Sequence, residues 1–256
     1  MEEVEITKIN RNRRFVESDV VAMEVPFTIN LNGSELVTLL SSPEDLRELA
    51  AGFLFSSGLV KKPDEIETIT IDQEKWLAEV SLEKKEVSSD LVFKRMYTSG
   101  CGRGTLFYSA IDLLHRHKNN SSLKIEKRRI FRLMSDFQNG STQYKQTGGV
   151  HYAALSDGKV IIFIKEDVGR HNAVDKVIGC SFLNGFSFDN TIFLTSGRVS
   201  SEIVLKIQKT GSPMLISRSA PTNQGVRLAR DLNLTLIGFV RGQRMNIYSA
   251  SERVLA

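Results

Sequence analysis

The sequence predicts an α/β protein, with a larger C-terminal domain of mostly parallel sheet flanked by helices and a small α+β domain before it. From Tyr144 onward, strand-like and helix-like apolar segments alternate, as in sheets whose strands are joined by crossover helices. Before residue 95, short strand-like segments come in pairs around a single helical pattern. We therefore predict one domain over residues 1–95 and another over residues 96–256.

The composition sets bounds on the class of protein. The chain has 256 residues, 41% of them hydrophobic and 25% charged, which is ordinary for a globular protein. The net charge of +4 permits an acidic partner or a phosphate ligand but does not indicate nucleic acid. No apolar run is long enough to span a membrane, the N-terminus is not a signal peptide, and two distant cysteines suit a reducing compartment. We expect a cytoplasmic protein.

The N-terminal half predicts a hairpin, a helix and two further strands. Residues 1–18 are polar and are interpreted as a solvated leader, with a partner-binding arm as the alternative, and structure is expected to begin at Val20. Asn32-Gly33 is a strong signal for a two-residue hairpin turn. Ser42 is a candidate N-cap for a helix that Gly58 ends. The predicted strands cover Val21–Leu31, Glu35–Leu40, Ile66–Ile71 and Trp76–Leu82.

One cysteine lies in an unusual glycine-rich stretch. Tyr97–Thr105 reads YTSGCGRGT, so that Cys101 has little side-chain bulk around it and Arg103 nearby. Apolar spacing over Thr105–His115 predicts a helix, whose N-terminus would favour a thiolate at Cys101. Two interpretations stay open on spacing alone, a reactive thiol and a small residue in a glycine turn. The other cysteine, Cys180, lies in an apolar helical run and is predicted to be a core residue.

The C-terminal half predicts alternating helices and strands. The predicted helices cover Lys127–Gln138, Asn172–Leu183, Ser201–Lys209 and Asn223–Asp231. The predicted strands cover Tyr152–Leu155, Val160–Lys165, Thr191–Thr195, Pro213–Ser217, Leu234–Val240 and Met245–Tyr248.

Four loops that follow these strands each contain arginine. Ligands of such sheets bind beyond the carboxyl ends of the strands, where all four loops are expected to meet. Arginines and backbone N–H groups at helix N-termini together favour a large, phosphorylated anion. The loops cover residues 166–172, 196–201, 218–223 and 241–244, and their arginines are Arg170, Arg198, Arg218, Arg241 and Arg244.

Structural roles are the alternative for several of these residues. Glu166, Asp167 and Asp175 could pair with Arg170 and Lys176 around a buried corner.

The histidines leave their own alternatives open. His171 is a candidate for proton transfer or an ordinary hydrogen-bonded histidine, and His151 could line the crevice or cap a strand. The sequence has neither a GxxxxGK[ST] loop nor a GxGxxG fingerprint after a strand, and no cysteine pair has zinc spacing. We predict no metal site.

Taken together, these motifs resemble the FdhD family of formate dehydrogenase accessory sulfurtransferases. EDVGRHN followed by SGRVSSE in this order is highly specific. The resemblance covers nearly the whole chain from about Val20 onward. The segments that carry it are LAAGFLFSSGL (49–59), TGGVH (147–151), EDVGRHNAVDKVIG (166–179), SGRVSSEIVLK (196–206), SAPT (219–222) and GFVRGQRMNIYS (238–249).

The resemblance implies a function and a site. Members of the family are cytoplasmic, resemble cytidine deaminases in the fold of their larger domain, and accept sulfur from a cysteine desulfurase as a persulfide. They pass it to the molybdenum cofactor, Mo-bis-molybdopterin guanine dinucleotide, destined for formate dehydrogenase. The matching persulfide cysteine here is Cys101, and a homodimer is implied. The matching cofactor-binding segment is Phe239, Val240, Arg241, Gly242, Gln243 and Arg244.

The chain departs from the family pattern at one position. The second cysteine of the family's C-x-x-C motif is replaced by Gly104. One thiolate suffices to accept a sulfane sulfur, but no second thiol is present at position 104 to release it. A sulfur-transferring enzyme and a cofactor-binding chaperone without chemistry of its own both stay open. A third hypothesis, a nucleotide-modifying enzyme on a deaminase-like fold, would require zinc.

Overall fold

The computed structural model describes residues 1–83 and 118–256, together with the backbone of residues 96–97 and 105–106. Cys101 and Gly104 lie outside the described residues, as does the stretch before residue 96 where we placed the domain boundary. The helix predicted over Thr105–His115 starts differently, because Thr105–Leu106 pairs as a strand with Met96–Tyr97. Its other residues lie outside the described part of the chain.

The secondary structure of the described residues follows the predicted order closely. The helices are α1 (Leu46–Ser57), α2 (Lys127–Gly140), α3 (Gln143–Thr147), α4 (Arg170–Leu183), α5 (Ser201–Thr210) and α6 (Asn223–Asp231). The strands of the first half are β1 (Glu2–Asn10), β2 (Arg13–Val21), β3 (Val25–Leu31), β4 (Ser34–Ser41), β5 (Ile66–Asp72), β6 (Leu77–Leu82), β7 (Met96–Tyr97) and β8 (Thr105–Leu106). Those of the second half are β9 (Ile125–Glu126), β10 (His151–Ser156), β11 (Ile161–Asp167), β12 (Ile192–Thr195), β13 (Met214–Ser217), β14 (Thr235–Arg241), β15 (Arg244–Ser249) and β16 (Val254–Leu255).

The main sheet has six strands in the order β11-β10-β12-β13-β14-β15. The α/β class is confirmed, but the prediction that this sheet is mostly parallel is wrong. Only the β12–β13 and β13–β14 pairs are parallel, whereas β10 pairs antiparallel with both neighbours and β15 pairs antiparallel with β14. Strands joined by a tight turn must pair antiparallel, and parallel neighbours need a crossover helix. The likeness to cytidine deaminases stays a prediction.

Helices cover both faces of the main sheet. On one face, α4, α5 and α6 pack against strand residues such as Leu155 and Phe193. On the other face, α2 packs against the alternate strand residues, among them Tyr152 and Leu194. Successive strand side chains point to opposite faces, which divides the apolar residues of each strand between two cores.

The N-terminal unit is a four-stranded sheet, in the order β4-β3-β6-β5, that packs on α1. The predicted hairpin turn is confirmed, because Asn32 and Gly33 both have positive φ, at 50° and 80°. Both values are typical of the turns that join antiparallel strands. Gly58 ends α1 with a φ of 79°, as predicted.

The prediction of a solvated leader over residues 1–18 is wrong. Strands β1 and β2 form an antiparallel hairpin in which Glu2 pairs with Val21 and Asn10 with Arg13. Most side chains of this hairpin are exposed. Because neither face of the hairpin is buried, its sequence lacks the regular apolar alternation that marks a strand, and it looks like a polar tail.

Two glycines bring α1 and α4 into close contact. A Cβ atom at Gly52 would lie 1.8 Å from the carbonyl oxygen of Asp175, and one at Gly179 would lie 1.8 Å from that of Glu48. Only glycine allows two helix backbones to approach so closely. Phe182 of α4 consequently reaches the apolar core of the N-terminal unit.

Ser42 does not cap α1, in contrast to the prediction. The backbone N–H of Ser42 donates to Oδ2 of Asp167 at 3.1 Å, and its hydroxyl accepts from the N–H of Val168 at 3.1 Å. The N-cap of α1 is Asp45, which makes no side-chain capping bond. Ser42, which its local sequence marks as a helix cap, therefore contacts the other half of the chain instead.

Within the described residues, none of the helices is both long and apolar enough to cross a membrane.

Candidate functional site

The topology brings the arginine-containing loops to one edge of the main sheet. Strand β11 runs in the same direction as β12, because both are antiparallel to β10, and β12, β13 and β14 are mutually parallel. The carboxyl ends of all four strands therefore lie at the same edge. A cavity of about 420 Å³ opens there. It is lined by Tyr144, Gly148, Gly149, Val150, His151, Tyr152, Val168, Ser196, Arg218, Ser219 and Arg241.

Glu166 fixes the wall of the cavity that α3 forms. Its carboxylate accepts from the backbone N–H groups of Thr142, Gln143 and Tyr144 at 3.1, 3.0 and 3.1 Å, and from the hydroxyl of Ser141. A negative charge at a helix N-terminus is favourable. Glu166 therefore holds α3, and Tyr144 with it, against the end of β11.

His151 and Ser196 lie together in the cavity. Nδ1 of His151 is 3.3 Å from Oγ of Ser196, which also accepts from the backbone N–H of Tyr152 at 3.0 Å. Burial lowers the pKa of His151 below its ordinary value, and nearby positive charges, that of Arg170 first, lower it further. The neutral imidazole is thus favoured. Of the two interpretations of His151, the structure supports the one in which it lines the crevice.

Arg218 is anchored by a buried tyrosine. Tyr152 is only 1% exposed, and its ring lies 4.5 Å from that of Phe137 and 5.3 Å from that of Tyr144. Burial raises the pKa of Tyr152, and a hydrogen bond with Arg218 opposes that rise. The guanidinium group is therefore held where it lines the cavity.

The segment predicted to bind the cofactor lies at the turn between β14 and β15. Arg241 lines the cavity, and Gly242, Gln243 and Arg244 are exposed beside it. Val240 is fully buried in the core under α2, and Phe239 has a positive φ of 54°. The structure thus places Arg241 in the lining of the cavity and Val240 in the core, whereas Gly242 to Arg244 are exposed and are not among the lining residues. The binding role of the six residues stays a prediction.

The alternative in which acidic residues pair with Arg170 or Lys176 at a buried corner holds for Asp167 but not for Asp175. Nζ of Lys176 lies 2.6 Å from Oδ2 of Asp167, and both side chains are fully buried. Asp175 does not follow the predicted pairing, because it binds Nζ of Lys206 at 2.7 Å. Ser56 of α1 donates to the same carboxylate at 2.8 Å. These carboxylates join the two halves of the chain and do not line the cavity.

His171 has a partner that the sequence did not indicate. Its Nε2 atom lies 2.9 Å from Oε2 of Glu202. Burial lowers the pKa of His171, and the hydrogen bond with Glu202 opposes the shift. His171 is not among the residues that line the cavity. This geometry fits the ordinary hydrogen-bonded histidine of the two interpretations.

Other features of the site bear on the remaining predictions. Cys180 is 7% exposed within α4, as predicted. Among the described residues, no group of three or more His, Cys, Asp or Glu side chains could hold a metal ion. Sequence reasoning missed Tyr144 and Tyr152 as lining residues, whereas Ser196 belongs to the predicted loop over residues 196–201. The only signal for Tyr144 was its position shortly before Gly148-Gly149.

The fold and the cavity together define a class of protein. This is an α/β protein with an arginine-containing cleft at the carboxyl edge of its sheet, suited to an anionic ligand. The chain belongs to the FdhD/NarQ family, whose model matches residues 22–255.

Matches to relatives and to a solved structure support this family assignment. The chain is 42% identical over 242 residues to the sulfur carrier protein FdhD of Listeria innocua serovar 6a, covering 93% of this chain and 92% of the relative. It is 41% identical over 237 residues to the sulfur carrier protein FdhD of Bacillus subtilis strain 168, covering 92% and 90%. A crystal structure assigned to a formate dehydrogenase accessory protein of Desulfotalea psychrophila matches with a TM-score of 0.82 and 29% identity, covering 99% of each chain.

Proposed function

We propose that this chain is a sulfur carrier that serves a formate dehydrogenase. Relatives named sulfur carrier protein FdhD match over nine-tenths of its length, and this likeness is the observation that carries the proposal. The arginine-containing cavity supports it, because the cargo proposed below is a phosphorylated anion. We propose that the carrier works in the cytoplasm as a homodimer.

In the proposed reaction, the Cys101 thiolate attacks the outer sulfur of a persulfide on a cysteine desulfurase. A sulfur–sulfur bond forms at Cys101 while the corresponding bond of the desulfurase breaks and its cysteine leaves as a thiolate. The sulfur–sulfur bond at Cys101 then breaks, the outer sulfur passes to the molybdenum cofactor, which is the substrate, and Cys101 is left as a thiolate. Its transfer as sulfide needs two electrons, which the reduced metal of the substrate supplies.

The cofactor is proposed to lie at the cavity. Arg218 and Arg241 line it, and the exposed turn from Gly242 to Arg244 follows Arg241 directly in the chain. Arginines bind phosphate oxygens in a bidentate manner. None of the described residues that line the cavity is acidic, so a pyrophosphate group would meet no like charge there.

Sulfur loading provides the test of the sulfurtransferase role. The purified chain is incubated with a cysteine desulfurase and isotopically labelled cysteine, and persulfides are mapped by mass spectrometry. We expect label on Cys101 in the wild type and in the Cys180→Ser control, and none in Cys101→Ser. Cys180 is a suitable control because it is buried in α4 and burial raises the pKa of its thiol. Label on Cys180, or no label at all, would contradict the proposal.

A cofactor chaperone without sulfur chemistry is the second candidate, and Gly104 favours it. The two candidates differ in cells that lack the protein. If the chain carries sulfur, Cys101→Ala does not restore formate dehydrogenase activity. If Cys101→Ala restores full activity, the chain is a chaperone and the persulfide step is unnecessary.

A further inference from the structure

We propose that two copies of this chain associate through their N-terminal hairpins, which lie antiparallel so that the acidic end of each hairpin contacts the basic tip of the other. The inference rests on the proposed function, because it names the surface that forms the homodimer proposed there. The hairpin consists of β1 and β2 and ends at Val21. It therefore precedes residues 22–255, the region that the family model matches.

The hairpin exposes apolar side chains without a layer of structure to cover them. Ile9 is 73% exposed and Val16 is 61% exposed, and Phe15 and Val21 are exposed as well. The two strands form a sheet of their own, and a two-stranded sheet is at best marginally stable in water unless something packs on it. We therefore expect the hairpin to gain stability from a partner that covers these side chains.

The outer edge of β1 is open to another strand. Among the described residues β1 pairs only with β2, whereas β2 also contacts α3. An open edge presents backbone N–H and C=O groups that can pair with a strand of another chain. No proline interrupts β1, so its backbone is able to donate along the whole edge.

The charges of the hairpin identify a second copy as the partner. The exposed side chains are acidic at the open end, with Glu2, Glu3 and Glu5, and basic around the tip, with Arg11, Arg13 and Arg14. Within the described part of the chain, none of these six has an ion-pair partner. A separation of six residues along a strand is roughly 20 Å. Because the Debye length is about 8 Å at physiological ionic strength, the two groups hardly neutralise each other within one copy.

A two-fold axis through the middle of β1 would place each group beside the opposite charge. Rotation about an axis perpendicular to the hairpin reverses the direction of the strand, so the acidic end of one copy lies beside the arginines of the other. The interface of a two-fold dimer must be complementary to itself, and the hairpin meets that condition at both ends. Opposite charges that face each other across an interface favour this arrangement over others.

The test measures the association of the full chain by sedimentation velocity. One variant reverses the open end, with Glu2→Lys, Glu3→Lys and Glu5→Lys, and a second reverses the tip, with Arg11→Glu, Arg13→Glu and Arg14→Glu. We expect the wild type to be a dimer. In each variant alone the dissociation constant of the dimer should rise at least about tenfold, because like charges then meet across the interface. An equal mixture of the two variants should restore the dimer, since one copy then carries a positive hairpin and the other a negative one.

The matched control reverses three exposed charges on α2, with Lys127→Glu, Arg128→Glu and Arg129→Glu, and should dimerise as the wild type does. The hairpin interface is overturned if either hairpin variant dimerises like the wild type, if the mixture recovers no dimer, or if the control dissociates equally. In these cases the proposed homodimer stands and forms through another surface. A monomeric wild type would overturn both the interface and the homodimer, while sulfur loading still decides the role as a sulfur carrier. Circular dichroism of each variant establishes that it is folded before its association is measured.

Discussion

His151 and His171 lie near one edge of the main sheet, and the surroundings of both favour the neutral form of the imidazole. Burial lowers the pKa of both, and the positive charge of Arg170 contributes to each shift. Glu202 opposes the shift at His171, while Lys206 adds to it. The folded state therefore binds these two protons less readily than the unfolded state does.

This difference predicts that the protein loses stability in mild acid. A histidine whose folded pKa is lowered contributes its full stability above the unfolded value, about pH 6.5. That contribution is lost as the pH falls from there towards the folded pKa. We expect the free energy of unfolding, measured with urea between about pH 7 and pH 5, to fall by up to about 1.4 kcal/mol per pH unit for each histidine.

Variants assign this pH dependence to the two residues. His151→Asn and His171→Gln should each reduce the slope of stability against pH, and the double variant should reduce it most. The chain has four histidines, and the two that these variants retain, His115 and His117, lie outside the described residues. A slope that is unchanged in the double variant would show that these two protons are not linked to folding.

Helices α1 and α4 cross so closely that a Cβ atom added at Gly52 or Gly179 would overlap the backbone of the other helix. The added Cβ at Gly52 or Gly179 meets backbone atoms, which cannot rotate away as the end of a side chain can. Gly140, the last residue of α2, provides a contrast. A Cβ there would lie 3.0 Å from Cδ1 of Ile164, the end of a flexible side chain.

We expect Gly52→Ala and Gly179→Ala each to lower the free energy of unfolding by at least about 2 kcal/mol. The reason is that the helices must separate to admit a methyl group, and the apolar residues at their interface lose contacts. Gly140→Ala is the matched control and should change stability by less than about 1 kcal/mol. Urea denaturation followed by circular dichroism measures all three. Similar, small effects for the three variants would refute the account of the crossing.

Local signals predicted the elements better than they predicted their contacts. The glycines after α1 and α5 mark helix ends because a left-handed residue is needed there, at φ of 79° and 83°. Ser42 looked like a cap from its own neighbourhood, yet its partners are Asp167 and Val168, which are distant in sequence. The hairpin of β1 and β2 was missed because neither of its faces is buried enough to give an apolar alternation.

At the scale of the whole molecule, the order of the strands is the feature that the sequence could not provide. Alternating strands and helices predicted a parallel sheet, but β10 inserts between β11 and β12. Strand pairing depends on long-range packing, not on local pattern. The prediction that four loops share one edge was confirmed nevertheless, because β11 keeps the direction of β12. The arginines of the cavity could thus be predicted, whereas the tyrosines beside them could not.

The two halves of the chain are joined by buried polar groups as well as by apolar packing. Asp175 of α4 binds Lys206 of α5 and Ser56 of α1, with distances of 2.7 to 2.8 Å. Phe182 of α4 packs in the apolar core of the N-terminal unit. Separating the halves would expose Phe182 and leave a buried ion pair without one of its hydrogen bonds.

We therefore predict that the N-terminal unit and the main sheet unfold together. Trp76 is the only tryptophan in the chain, and it packs against the core of the N-terminal unit, so its fluorescence reports that unit. The urea midpoint of the Trp76 fluorescence should coincide with the midpoint from far-ultraviolet circular dichroism, to which the main sheet and its helices contribute most.

The variant Lys206→Met leaves Asp175 charged and buried. We expect it to lower the free energy of unfolding by about 3–5 kcal/mol and to shift both urea midpoints together. Lys75→Met, at an exposed ion pair with Asp72, is the matched control and should move neither. Two separate midpoints in the wild type would show that the halves are independent domains despite the crossing of α1 and α4.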